Sequence, residues 1–314
     1  MNQQKNDHDR IAIIGAGHVG STAAYALMLR ALVREIVLID NDIALAEAQA
    51  TDISDANALA RPARIWTGDY SEAATARLAI ITAGATTHGD ESRLSVAGRS
   101  AKIVGDCVDA LIGTGFDGIL IIASNPVDVM AHVAFLRSGL PSNRVIGTGT
   151  LLDSSRLQQA LAVRLNVAPR AIEAFVVGEH GDSEVAVFST VRIGGIPLDQ
   201  FAPDETRNYG TLADEVRTAA YRIIDGKGHT SFGVATAIVR ICEAILRNER
   251  TVLPVSTLLH GEFGLSDVYL SLPCIMGASG VERVLLPELD DREITQIQAS
   301  GEKIQMALAG LNLE

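Results

Sequence analysis

The first half of the chain alternates short, almost uninterrupted apolar runs with longer stretches whose apolar positions recur three and four residues apart. The runs are RIAIIGAG (10–17), EIVLID (35–40), ARIWTG (63–68), LAIITAGA (78–85) and GILIIASNP (118–126). A strand that is apolar at successive positions, rather than at every second one, is buried on both faces, and the stretches between supply the covering helices. The pattern predicts an α/β fold built on a doubly wound parallel sheet of the Rossmann type. After about residue 148 the rhythm changes. LLDSSRLQQALAVRLN (151–166) has helical spacing, AIEAFVVGEHG (171–181) and VAVFSTVRIGG (185–195) are strand-like, and helices are expected from about 203 to 247. A strand follows in DVYLSLPCIMG (267–277), and the last segment, DDREITQIQASGEKIQMALAGLNL (290–313), reads as a helix with a favourably acidic start. The expected organisation is one domain, built on this sheet, over 1–148 and a second, mixed α/β domain over 149–314. No low-complexity linker separates them, which predicts a broad interface.

Composition narrows the partners. A chain of 314 residues that is 47% hydrophobic can bury a large core, and a formal net charge of −12 argues against a surface that gathers nucleic-acid phosphates. No apolar run approaches the roughly 20 residues of a membrane span. The polar N-terminus MNQQKNDHDR lacks the apolar core of a signal peptide, so the expected location is cytoplasmic. Cys107, Cys242 and Cys274 lie far apart without a C-x-x-C. They are expected to be buried thiols, with neither a disulfide framework nor a metal site.

The first chemical signal is Gly15-Ala16-Gly17-His18-Val19-Gly20, which closes an apolar run and opens a helical stretch. In that context Gly15 permits the tight turn, Gly17 lets a pyrophosphate approach the backbone, and Gly20 allows close helix packing. Asp40, 20 positions after Gly20, ends the next run. A carboxylate there can accept from the adenosine ribose hydroxyls and repel a 2′-phosphate, which favours NAD over NADP. A second group of residues could act on a substrate. His180 is flanked by Gly178 and Gly181, while Asp153 and Arg156 stand three apart on one side of a helical segment, a spacing an ordinary ion pair would also give.

GAGHVG, VLID, AGATTHGDESRL, SNPVD, GTGTLLDSSRL, GEHGD and KGHTSFG occur in the order found in the L-lactate and related L-2-hydroxy acid dehydrogenases of the lactate/malate dehydrogenase superfamily, which the chain resembles along nearly its whole length. The resemblance implies that His180 exchanges the proton, Asp153 orients and charges its ring, Arg156 clamps the substrate carboxylate, and Arg93, on a mobile lid, polarises the carbonyl. It implies that Asn125 and Thr230 face the substrate and that Val234 packs on the nicotinamide. Val19, Tyr70, Gly84, Ala85, Ser124 and Thr148 would join Gly15, Gly17, Gly20 and Asp40 along the cofactor cleft. Each role is chemically apt: an imidazolium can neutralise a developing alkoxide, a neighbouring carboxylate favours that imidazolium, and a planar guanidinium grips a carboxylate with two bonds. The resemblance also implies a cytoplasmic homotetramer acting on small 2-oxo and 2-hydroxy monocarboxylic acids. Pyruvate and L-lactate come first. Broad L-2-hydroxyisocaproate-type reduction is the alternative, followed by malate dehydrogenase and, outside enzymes, a dinucleotide-binding regulator.

Two departures from that family's pattern matter. Members activated by fructose 1,6-bisphosphate carry an arginine and a histidine where this chain has Gln158 and Glu173, so no such activation is expected. Thr87 occupies the lid position that is usually glutamine in lactate dehydrogenases and arginine in malate dehydrogenases. An uncharged, small residue there predicts poor use of oxaloacetate and room for 2-oxo acids longer than pyruvate.

Overall fold

The computed structural model describes residues 10–60, 63–85, 93–204 and 209–311, with the backbone alone for 93–95. Six parallel strands, β1 (Arg10–Ile14), β2 (Glu35–Ile39), β3 (Arg64–Thr67), β4 (Leu78–Ile81), β5 (Ile119–Ile122) and β6 (Val145–Gly147), lie in the order β3-β2-β1-β4-β5-β6. The connecting helices are α1 (His18–Arg30), α2 (Ile43–Asn57), α3 (Tyr70–Ala73), α4 (Arg93–Ile112) and α5 (Val127–Ser138). Strand order reverses beside β1, which places a crevice beyond the carboxyl ends of β1 and β4.

The apolar runs behave as their composition requires. Within β1, Ile11 and Ile13 join Ile36, Leu38 and Ile80 on one face, under α1, α2 and a later helix. Ala12 and Ile14 join Val37, Ile39, Ala79 and Ile81 on the other, under α4 and α5. Both faces are thus sealed, each large aliphatic side chain contributing about 1.5–3 kcal/mol through burial.

The second half comprises α6 (Leu151–Leu165), β7 (Ile172–Glu173), β8 (Val176–Val177), β9 (Val185–Ala186), β10 (Arg192–Ile193), β11 (Ile196–Pro197), α7 (Leu198–Phe201), α8 (Tyr209–Lys227), α9 (Phe232–Leu246), β12 (Thr251–His260), β13 (Ser266–Gly277), β14 (Gly280–Val284) and α10 (Asp291–Ala309). β12, β13 and β14 do not form a separate layer. They extend the main sheet as antiparallel strands beyond β6, giving nine strands in all. Helix α9 covers the α1 face, and α10 covers the α5 face. A smaller core, including Leu157, Leu161, Val176, Val191 and Val216, lies under α6 and α8.

Four details refine or depart from the pattern-based expectations. The segment 171–181 holds two dipeptide strands rather than one, and a 3₁₀ turn at Phe188–Thr190 splits 185–195. The helical region from 203 to 247 is interrupted at Gly228, whose φ of +82° a side chain would strain. All three cysteines are free, but only Cys242 and Cys274 are buried; Cys107 is half-buried beside Tyr70. No helix among the described residues is long and apolar enough to cross a membrane.

Candidate active site

The turn from β1 into α1 has the shape an anionic cofactor needs. Gly15 adopts φ +104°, and any Cβ there would press on Thr82 and Ala83 of the β4 end. A Cβ on Gly20 would overlap the Gly15 carbonyl oxygen, so α1 can sit this close to β1 only with glycine at that place. Gly17 is the contrast: it caps α1 with φ −68°, and a Cβ there would meet nothing within 4 Å. Open space at a helix start with no acidic residue in its first turn fits a pyrophosphate. Asp40, just past β2, accepts from the Ala16 N–H at 2.6 Å and the Asp42 N–H at 2.9 Å. It therefore ties the turn to β2 while keeping lone pairs for further donors.

At the same end of the sheet three charged side chains converge. Asp153, in the first turn of α6, is 1% exposed and divides its carboxylate between two cations. Its Oδ1 accepts from Arg156 Nη1 at 2.7 Å, and its Oδ2 meets His180 Nδ1 at 2.5 Å. Burial works against the ionised carboxyl, but His180 and then Arg156 overcome it and hold Asp153 below the usual carboxylate range. For His180 burial likewise opposes the charge; Asp153, with help from Asp128 and Glu184, reverses this and raises the imidazole to about 9. The site therefore keeps an imidazolium through neutral pH, with Nδ1 committed to Asp153 and Nε2 left to exchange a proton.

Glu184, not singled out by the sequence motifs, lies with Asp153 and His180 so that their ligand-type atoms fall within 4.8 Å of one another. Burial and then the Asp153 charge push its carboxyl up to about 8. A neutral acid beside an ionised one relieves like-charge repulsion.

The backbone carrying His180 is fixed one residue at a time. The Gly178 N–H donates to Ser271 O of β13 at 2.9 Å, the Glu179 N–H to Ser300 Oγ of α10 at 2.8 Å, and the His180 N–H to Asp128 Oδ2 of α5 at 2.8 Å. Gly178 has φ +87°, and a Cβ there would crowd Ser300. Neither Ser271 nor Ser300 carries a sequence signal, because each acts through tertiary placement alone.

The remaining expected positions ring this end of the sheet. Asn125 is exposed after β5 and precedes Pro126 through a cis bond. Ser124 and Thr148 are buried, and the Ser124 hydroxyl donates to Ala83 O at 2.5 Å, which links the β4 and β5 loops. Gly84 and Ala85 follow β4, where the Ala85 N–H donates to Ser100 Oγ at 3.2 Å. Tyr70 begins α3, its phenol pushed up by burial and by Cys107. Thr230 and Val234 are half-buried at the start of α9, and Val19 is half-buried in α1. The adjoining His229 stacks on His18 with ring centroids 3.8 Å apart, joining the α9 loop to the start of α1. Arg93 opens α4, with only its backbone described; Thr87 lies outside the described residues. Gln158 donates to Ala174 O, and Glu173 is an exposed residue of β7.

A doubly wound sheet with a glycine turn for a dinucleotide, and a carboxylate-supported imidazolium beside an arginine, defines an NAD-dependent oxidoreductase. Residues 9–147 match the lactate/malate dehydrogenase NAD binding domain, and residues 150–310 match the lactate/malate dehydrogenase alpha/beta C-terminal domain. An L-lactate dehydrogenase of Clostridium botulinum (strain 657 / Type Ba4) is 40% identical over 310 residues, covering 97% of this chain and 98% of that protein. An L-lactate dehydrogenase of Acetivibrio thermocellus is 39% identical over 309 residues, with the same coverage of 97% and 98%. The crystal structure of minor L-lactate dehydrogenase from Enterococcus mundtii in the ligands-bound form superposes with a TM-score of 0.95 at 37% identity, over 98% of this chain and 100% of that one. The chain belongs to the lactate/malate dehydrogenase family.

Proposed function

We propose that the protein is an NAD-dependent L-lactate dehydrogenase, interconverting pyruvate and L-lactate and accepting somewhat longer 2-oxo acids. The observation that carries this reading is Asp153 held between His180 and Arg156 at the carboxyl end of the sheet. NADH, when bound, would supply the hydride, and NAD would accept it in the reverse direction. His180 then gives a proton from Nε2 to the carbonyl oxygen as charge develops there, and recovers it in reverse. Arg156 spends Nη1 on Asp153, and among the described residues no partner takes its Nη2, which suits a substrate carboxylate. Arg93 polarises the carbonyl, Asn125 and Thr230 orient the substrate, and Thr87 sets the side-chain preference. The proposed cofactor residues are Gly15, Gly17, Val19, Gly20, Asp40, Tyr70, Gly84, Ala85, Ser124, Thr148 and Val234. The proposal includes division into a cofactor domain (1–148) and a substrate domain (149–314), and assembly as a cytoplasmic homotetramer.

Oxidation of NADH and of NADPH against a panel of 2-oxo acids tests the reading. Expected are a strong preference for NADH, high kcat/KM for pyruvate and 2-oxobutyrate, and little use of oxaloacetate. Fructose 1,6-bisphosphate should leave the pyruvate saturation curve unchanged. A tenfold preference for oxaloacetate over pyruvate would overturn the assignment of substrate.

A further inference from the structure

Asp128 belongs to the SNPVD motif, three residues beyond Asn125, yet a carboxylate at that point is unusual in its surroundings. It is 1% exposed, in the first turn of α5, and no lysine or arginine pairs with it among the described residues. Its oxygens instead accept from two elements distant in sequence: Oδ2 takes the His180 N–H at 2.8 Å, and Oδ1 takes the Ser256 hydroxyl of β12 at 2.6 Å. A buried carboxylate is costly unless something stabilises the charge, and a purely structural acceptor could be a neutral amide or hydroxyl. Ser271 and Ser300 anchor the two preceding residues with neutral oxygens. Only the residue bearing the imidazole is anchored by an acid.

We propose that Asp128 is a positioning residue for His180, fixing its backbone and adding a second negative charge behind the imidazolium, so that the loop carrying Asn125 and the proton donor are set by one buried carboxylate. This rests on the proposed role of His180 as proton donor. Asp153 orients the ring through Nδ1 from α6, whereas Asp128 acts from α5 on the main chain. The groups facing this pair are Glu179 and Glu184 from the His180 loop, Asp153 from α6, itself paired with Arg156, and the neutral Ser256 from β12. Glu179 is itself paired with Lys303 of α10 at 2.7 Å. Burial, opposed by Ser256 and the His180 N–H, pushes the Asp128 carboxyl up to about 6. Its charge is therefore present at neutral pH and lost on mild acidification, when the anchoring bond weakens and the imidazolium loses part of its support.

The test reads His180 directly, through the pH dependence of exchange at its ring Cε1–H, followed by mass spectrometry on the unliganded protein. The midpoint in the unsubstituted chain should lie near 9. Asp128→Asn is nearly isosteric and keeps an oxygen for the His180 N–H but no charge. It should lower that midpoint by about half a unit, roughly a threefold change in the ratio of the two forms, and raise KM for pyruvate several-fold. Ser256→Ala leaves the charge but removes a donor that stabilises it. It should keep the His180 midpoint and move the acid limb of pyruvate reduction upward from about pH 6. An unchanged His180 midpoint in folded Asp128→Asn would overturn the proposal. Should that variant fail to fold, an unmoved acid limb in Ser256→Ala overturns it instead. The exchange measurement needs no turnover, so inactivity of the unsubstituted protein with every 2-oxo acid would count against the enzymatic reading and not against this one.

Discussion

Asp153 concentrates the chemistry of the site in two side-chain contacts, since each of its oxygens holds one cation and each cation is assigned a different part of the substrate. Removing the imidazole leaves Arg156 and the cofactor turn in place. His180→Ala should therefore cut turnover by roughly 10²–10⁴-fold, the usual worth of a positioned proton donor, while NADH still binds. Fluorescence titration with NADH alongside steady-state rates checks both halves; near-normal turnover would remove His180 from the mechanism. The grouping of His180 with Asp153 and Arg156 comes from the motifs that carry the family resemblance, since the spacing of Asp153 and Arg156 alone is also that of an ordinary ion pair. Glu184, Ser271, Ser300 and Ser256 were not legible there. A serine that anchors a backbone N–H, or a glutamate made neutral by its neighbours, is defined by what the fold brings beside it.

At the level of elements, the turn from β1 to α1 separates two demands that the same motif letters conceal. Gly20 is required by packing, because a Cβ would collide with the Gly15 carbonyl, whereas Gly17 faces open space in a conformation any residue adopts. Gly17→Ala should leave the melting temperature unchanged and weaken NADH binding, while Gly20→Ala should lower both, since α1 must retreat from β1. Calorimetry with NADH titration distinguishes them, and equal loss of stability in the two variants would contradict this division. The same contrast explains which elements were readable. β1, β2, β4 and β5 are continuous aliphatic runs whose burial on two faces leaves no other interpretation. β12 escaped because Pro254, Ser256 and Thr257 interrupt its apolar character, although all three are buried in the sheet. β6, only three residues long, carries too little pattern to stand out.

Across the whole molecule, extension of the sheet by β12 and β13 brings the chain's two halves together around the His180 loop, so protonation at the site is coupled to folding. The folded protein holds the His180 proton to about 9, while the unfolded chain releases it near 6.5. Its contribution to stability is complete below 6.5 and is lost as pH rises through 9. Glu184 acts in the same direction: folded, it keeps its proton to about 8, against 4.5 when unfolded, so its contribution also declines as pH rises. Asp153 has the opposite sign, its stabilisation being lost only as pH falls below the ordinary carboxylate range. The half-buried His132, whose imidazole is pushed down chiefly by burial, likewise penalises acid rather than alkali. Between pH 6.5 and 9 the two raised groups therefore dominate among these, and the melting temperature of the unliganded protein should fall steadily over that interval. His180→Asn removes one titrating group and should flatten the decline, leaving the Glu184 part. Differential scanning calorimetry at constant ionic strength measures both slopes. A melting temperature that stays level from pH 6.5 to 9, or a His180→Asn slope as steep as the original, would mean that the imidazolium is not held by the fold as its contact with Asp153 requires.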